Sequence, residues 1–278
     1  MASPTLVAHR GFAGTDPQNT VRAVRRAGAH PETGMVEVDV QPAADGTPVV
    51  IHDSRLDTAD DGGPGLTDGE GVVWETPLDE VTAAEVLGSG ETVPTLAAVL
   101  DACPDDVRLN VELKNPGTHN IRPGTNLDDD ALATQREVWR PFVERVLDDC
   151  AAAAVDVLFS SFCEAALAVA GDLGAHPTAA LTLTNVDDAV AVAREHDCAA
   201  LHPPLDVLLA DDPRVDPWAD PGDAGGVPDT RDTVLEAAAD HGWAVNAWTV
   251  REWHEASRLA ELGVDGLIAD YPSVVAGD

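Results

Sequence analysis

The chain has 278 residues, 44% of them apolar, which is enough to bury a sizeable core and excludes wholesale disorder. Fifty acidic residues against 16 basic ones give a formal net charge of -34, which repels nucleic acid and anionic membranes and excludes both as partners. All the cations but one are arginine, the exception being Lys114. Surplus acid with almost no lysine points to adaptation to high salt, where self-repulsion is screened over roughly 3 Å at 1 M.

The first predicted strand starts at residue 6, so the expectation is a cytoplasmic chain without a secretory leader. Predicted strands follow at 6–10, 35–40, 108–113, 156–161, 178–183, 199–202, 243–248 and 266–269. Most intervals carry a helical pattern rich in Ala, Val, Leu and Glu, as at 19–28, 187–195 and 230–241. Strand–helix alternation implies parallel strands, and eight repeats imply closure. The expected fold is therefore α/β, a TIM (β/α)8 barrel in a single domain spanning 1–278, with a doubly wound open sheet as the alternative.

One stretch breaks the alternation. Residues 47–52 form a second β-like run after 35–40, joined through Ala44-Asp45-Gly46, which is turn chemistry. An irregular Asp/Gly-rich segment follows at 57–71, then helix-like pieces starting near Pro77 and Pro94. Residues 45–90 are expected as a small excursion after strand 2, on the C-terminal face of the barrel. Two long loops, 115–130 and 211–229, follow predicted strands and are expected on the same face, where barrel active sites sit. Cys103, Cys150, Cys163 and Cys198 contain no C-x-x-C pair and are expected as buried thiols in a reducing compartment. No apolar run approaches the ~18 residues of a membrane span, so no stable membrane insertion is expected.

Four constellations carry chemistry. His9-Arg10-Gly11 ends the first strand: an imidazole for proton transfer, a planar guanidinium suited to a phosphate, and a glycine that lets backbone approach a ligand. Glu37-x-Asp39 sets two carboxylates on one strand face while Val36, Val38 and Val40 hold the other. If the valines pack beneath helices, the acids point into the barrel, where their repulsion calls for a bound cation. His52-Asp53 brings a second imidazole that could partner His9 as acid and base. Glu112-x-Lys114 brings a third carboxylate and the chain's only lysine, a point charge for a phosphate oxygen. Three carboxylates and no cysteine make a hard oxygen site that favours one divalent cation, Mg²⁺ or Ca²⁺, over zinc.

These residues lie in segments that resemble the glycerophosphodiester phosphodiesterase family: A-H-R-G (8–11), P-Q-N-T (17–20), V-E-V-D-V (36–40), D-G-T-P-V-V-I-H-D (45–53), V-P-T-L (93–96), V-E-L-K (111–114), S-S-F (160–162), W-T-V (248–250) and D-G-L-I-A-D-Y-P (265–272). They run in the family's order across nearly the whole chain, here in a highly acidic, haloarchaeal-type version. The resemblance implies a TIM barrel that hydrolyses glycerophosphodiesters to sn-glycerol 3-phosphate and an alcohol. It implies His9 and His52 as the acid/base pair, and Glu37, Asp39 and Glu112 as the metal ligands. Arg10 and Lys114 become phosphate contacts, and Trp248 packs near the glycerol. The nucleophile is water or the glycerol 2-hydroxyl, the latter giving a cyclic phosphate first. Gln18 stands where the family commonly has Glu, Arg251 where Asn is common, and Ala269 where Thr is frequent; none of the three is expected to touch the ligands or the acid/base pair. The 115–130 loop has no clear family counterpart. Competing expectations are a lysophospholipase D-like activity, disfavoured by the polar loops, and a non-catalytic phosphodiester-binding barrel. The expected partner is a small glycerophosphodiester, and a homo-oligomer stays open.

Overall fold

The computed structural model describes residues 3–174, 176–183, 185–209 and 230–275. In chain order they form β1 (Thr5–Ala8), α1 (Val21–Gly28), β2 (Thr33–Pro42), β3 (Pro48–Val50), α2 (Leu78–Ala83), α3 (Leu96–Leu100), β4 (Arg108–Leu113), α4 (Asp129–Ala151), β5 (Val157–Ser161), α5 (Glu164–Leu173), β6 (Thr178–Leu181), α6 (Val186–Glu195), β7 (Ala200–His202), α7 (Leu205–Leu209), α8 (Thr230–His241), β8 (Ala244–Val250), α9 (Trp253–Leu262) and β9 (Gly266–Ala269). The predicted loop at 211–229 lies outside the described residues.

Eight strands pair in parallel in the order β1-β2-β4-β5-β6-β7-β8-β9, and β9 pairs with β1 through Thr5↔Gly266 to Ala8↔Ala269. The sheet is a closed barrel, which settles the choice against an open doubly wound sheet. β3 alone is antiparallel, a hairpin partner on the C-terminal end of β2.

The period-2 pattern decides what faces where. Val36, Val38 and Val40 of β2, with Leu109, Val111 and Leu113 of β4, pack outward into the main core under the helices. Val7, Met35, Leu158, Ala179, Ala200 and Ile268 form a separate cluster inside the barrel. Each fully buried Val or Leu contributes about 1.5–3 kcal/mol relative to exposure. Helix starts are fixed by side-chain caps: Thr20 accepts from Ala23 N–H at 3.2 Å, Thr95 from Ala98 N–H at 3.2 Å and Asp128 from Ala131 N–H at 2.9 Å.

The first strand is shorter than 6–10. It ends at Ala8, and His9–Gly11 form a 3₁₀ turn with Arg10 at φ 52° and Gly11 at φ 75°. Gly11 is required there: a Cβ would lie 2.7 Å from Ala23 Cβ and 2.8 Å from the Ala23 carbonyl carbon, so the turn packs directly on α1. β6 also stops early, at Leu181 rather than residue 183, and β8 runs on past 248 to Val250. Around 45–90, from Ala43 through Val49, Ile51, Leu56, Val73, Val81, Ala84 and Val86 to Val93, a small apolar cluster forms apart from the main core. The piece after Pro94 is different: α3 returns to the barrel wall and packs on α1, β3 and α4.

Candidate active site

All eight residues singled out in the sequence sit at the C-terminal end of the barrel, and seven of them line one cavity of about 170 Å³: His9, Arg10, Glu37, His52, Glu112, Lys114 and Trp248. The eighth, Asp39, lies beneath, 1% exposed and 3.2 Å from Arg10 Nε. The convergence follows from register. Glu37 and Asp39 continue the inward series that starts at Met35, and Asp39 pairs with Glu112 across β2 and β4. Oxygens of Glu37, Asp39 and Glu112 all lie within 4.8 Å of one another.

That cluster is electrostatically incomplete. Burial pushes the Glu37 carboxyl well above the ordinary carboxylate range, and Asp39 and Glu112 add to the rise. Glu112 shifts the same way, again chiefly through burial. Asp39 goes the other way: burial pushes it up, but Arg10, His52, Lys114 and the Asn19 amide outweigh it and hold the group ionised. Lys114 Nζ is 3.0 Å from Glu112 Oε1 and 3.6 Å from Asp39 Oδ1. Three carboxylates against two cations leave an uncompensated negative charge, and the buried Glu37 Oε1 and Asp39 Oδ1 have no hydrogen-bond donor. Their chemistry fits a hard divalent cation.

Each imidazole is oriented by a carboxylate. His9 Nδ1 is 2.6 Å from Asp270 Oδ1, and His52 Nδ1 is 2.8 Å from Asp53 Oδ1. Both carboxylates are held below their ordinary range: burial opposes this most strongly, and the bond and charge of the imidazole outweigh it only together with the Asp60 N–H and Arg10 at Asp53 and with Arg251 at Asp270. The Nε2 atoms are left for chemistry. Burial lowers His9 below 6.5 even though Asp270 pulls it upward. Arg10 Nε donates to His9 Nε2 at 3.2 Å, and the Arg10 backbone N–H donates to Glu37 Oε2 at 2.8 Å.

Several residues that matter here are not singled out by the sequence pattern. Asn19, from P-Q-N-T, donates to Asp39 Oδ2 at 2.8 Å and accepts from the Asp39 N–H. Asp53 and Asp270 lie inside family-like segments, but nothing in their spacing assigns them a role. Asn110 and His202, at the cavity floor, carry no sequence signal. Two of the family departures reach residues next to the ligands and the acid/base pair without touching either. Gln18 Oε1 accepts from Arg10 Nη1 at 2.8 Å, so the amide oxygen keeps a contact that a carboxylate would make. Arg251 Nε donates to Asp270 Oδ2 at 2.7 Å, one bond removed from His9. Trp248 donates its indole N–H to His202 O at 2.7 Å and meets Phe162 edge-on at 5.6 Å.

Residues 9–274 match the profile of the Glycerophosphoryl diester phosphodiesterase family. The chain belongs to that family. As a family member it is 30% identical over 265 residues to the Mycobacterium tuberculosis protein named "Probable glycerophosphodiester phosphodiesterase 2", covering 95% of this chain and 86% of the relative. It is 26% identical to the glycerophosphodiester phosphodiesterase of Caldanaerobacter subterraneus, covering 97% and 95%. A solved Oleispira antarctica phosphodiesterase, in complex with the product sn-glycerol-3-phosphate, superposes with a TM-score of 0.71 at 25% identity, covering 97% of this chain and 94% of that one.

Proposed function

We propose that this family member hydrolyses glycerophosphodiesters to sn-glycerol 3-phosphate and an alcohol, using Glu37, Asp39 and Glu112 to hold a Mg²⁺ or Ca²⁺ ion and His9 and His52 as the acid/base pair. One observation carries the reading: two carboxylate-oriented imidazoles line the same small cavity as a charge-deficient carboxylate cluster. A bound divalent cation would supply a sink for negative charge on the phosphorus oxygens.

The chain's own groups do the rest. Arg10 and Lys114 bind the non-bridging oxygens. Drawing the Arg10 guanidinium onto phosphate frees the Nε2 lone pair of His9, which then takes the proton from the nucleophile. His52 donates a proton to the leaving alkoxide. The floor suits the glycerol hydroxyls, because Asn110 Oδ1 and His202 Nδ1 are buried there without partners. Trp248 forms the adjoining wall. A non-catalytic binder has no use for two imidazoles each fixed by a carboxylate.

The test is release of glycerol 3-phosphate from glycerophosphoglycerol in molar salt, with and without chelator. Release that survives chelation removes the cation from the reading, and no release at all removes the activity.

We also read the chain as a haloarchaeal-type, single-domain cytoplasmic enzyme, with 45–90 as an excursion from the barrel. Its only lysine is withdrawn into the cavity, so no described surface cation is a lysine. Its four cysteines are free and buried. Among the described residues no helix is long and apolar enough to cross a membrane.

A further inference from the structure

A second cavity, of about 190 Å³, adjoins the first and shares His52, Glu112, Lys114 and Phe162 with it, but not His9. Its outer wall comes from the loop after β4, through Asn115, Ile121 and Pro123. That loop is an ordered wall. Asn115 Oδ1 accepts from the N–H groups of Gly117 and Thr118 at 2.8 Å each, Gln135 donates to Asn120 O at 3.1 Å, and Gly124 N–H donates to Phe162 O at 2.8 Å.

Gln41 lines this cavity, on the inward series of β2 that also carries Glu37 and Asp39. It is 1% exposed. Its amide nitrogen donates to Ile51 O at 3.0 Å and Asp53 O at 2.8 Å, so carbonyl partners fix which end is nitrogen. The other end, Oε1, is buried without a donor. A buried acceptor in that state is satisfied by a donor entering from the cavity, a water or the O–H or N–H of a ligand that displaces it. Ser54 and Asn115 add polar groups to the lining, which suits a short polar alcohol. The carboxylate of Asp60 also lines it, and its single cation, Lys114, is paired with Glu112.

We propose that the second cavity is the site of the leaving alcohol, and that Gln41 Oε1 selects short alcohols whose far end carries an O–H or N–H donor, as in glycerol or ethanolamine, over a quaternary ammonium. This rests on the phosphodiesterase reading above. His52, the one imidazole shared by both cavities, stands where the departing oxygen crosses between them.

The test compares kcat/KM for glycerophosphoglycerol, glycerophosphoethanolamine and glycerophosphocholine in the metal-replete enzyme at molar salt. The two donor-bearing substrates exceed glycerophosphocholine by about tenfold or more. Gln41→Met removes the acceptor at nearly constant volume and brings all three to the choline level; a parallel fall that preserves the ratios shows a merely structural glutamine and overturns the selection. Ile121→Trp fills the cavity from its partly exposed wall. It slows all three diesters and leaves competitive inhibition by sn-glycerol 3-phosphate unchanged, because that product occupies the first cavity. Unchanged diester kinetics in Ile121→Trp, or wild-type rates within threefold of one another, overturn the proposal while the activity stands. Failure to cleave any of the three removes the activity and this inference together.

Discussion

His9 Nδ1 and Asp270 Oδ1 lie 2.6 Å apart although the two residues are separated by 261 positions. The bond is made by barrel closure, because β1 pairs with β9 and each residue directly follows its strand. It fixes the imidazole so that Nε2 faces the cavity.

The first prediction concerns this pair and its counterpart. His9→Ala and His52→Ala each lower kcat by about 10²–10⁴, the usual range for one acid/base group. Asp270→Asn leaves the ring but releases its orientation, and lowers kcat by about 10–100-fold with little change in KM. Steady-state release of glycerol 3-phosphate measures all three. Near-normal turnover in both histidine variants would remove the acid/base assignment.

Cation binding should appear in stability as well as in rate. Glu37, Asp39 and Glu112 are gathered in the folded state only, so Mg²⁺ or Ca²⁺ at a hundredfold over its Kd stabilises the fold by about 2.7 kcal/mol. Chelator reverses the rise in Tm, and Asp39→Asn abolishes it. A thermal transition that ignores both cation and chelator contradicts the carboxylate site.

The buried imidazole of His202 sets an acid limb. Burial pushes it down to about 3 from 6.5. Between those values the unfolded chain holds a proton that the folded chain refuses, so stability is intact above pH 6.5 and falls as pH drops toward 3. His202→Gln carries no such penalty. The stability advantage of wild type over this variant should therefore shrink by about 3 kcal/mol between pH 7.5 and pH 4.5. Urea midpoints at the two pH values test it, and a constant difference refutes it.

Gly11 should tolerate no side chain. Gly11→Ala adds a methyl at φ 75° and 2.7 Å from Ala23 Cβ, between the turn that carries His9 and Arg10 and the helix beneath it. Backbone strain and overpacking together cost about 2–4 kcal/mol. The expected outcome is a lower urea midpoint together with reduced kcat, because Arg10 and His9 shift with the turn. Unchanged stability means that the turn does not bear on α1.

A net charge of -34 makes salt a structural variable. Raising KCl from 0.1 M to 2 M shortens the screening length from about 10 Å to below about 3 Å and weakens surface self-repulsion. Tm should rise across that range and activity should persist at molar salt. A salt-independent Tm argues against high-salt adaptation.

The inward placement of the acids is legible in the sequence because it depends on a local rule. Strand side chains alternate, so Val36, Val38 and Val40 on one face assign Glu37 and Asp39 to the other, and Glu112 with Lys114 repeats the logic on β4. The eight-strand count and the family motifs are readable for the same reason, since each lies within a few consecutive residues. What the chain cannot announce are contacts made by ring closure and by turns. The end of β1 at Ala8, the pairing of His9 with Asp270, the reach of Arg251 to Asp270 and of Gln18 to Arg10, and the unsatisfied Gln41 oxygen beside a second cavity all depend on how turns and strands are placed in three dimensions. Residue spacing along one strand encodes which way a side chain points. Only the closed barrel determines what it meets there, because its partners come from strands whose distance is set by the whole fold.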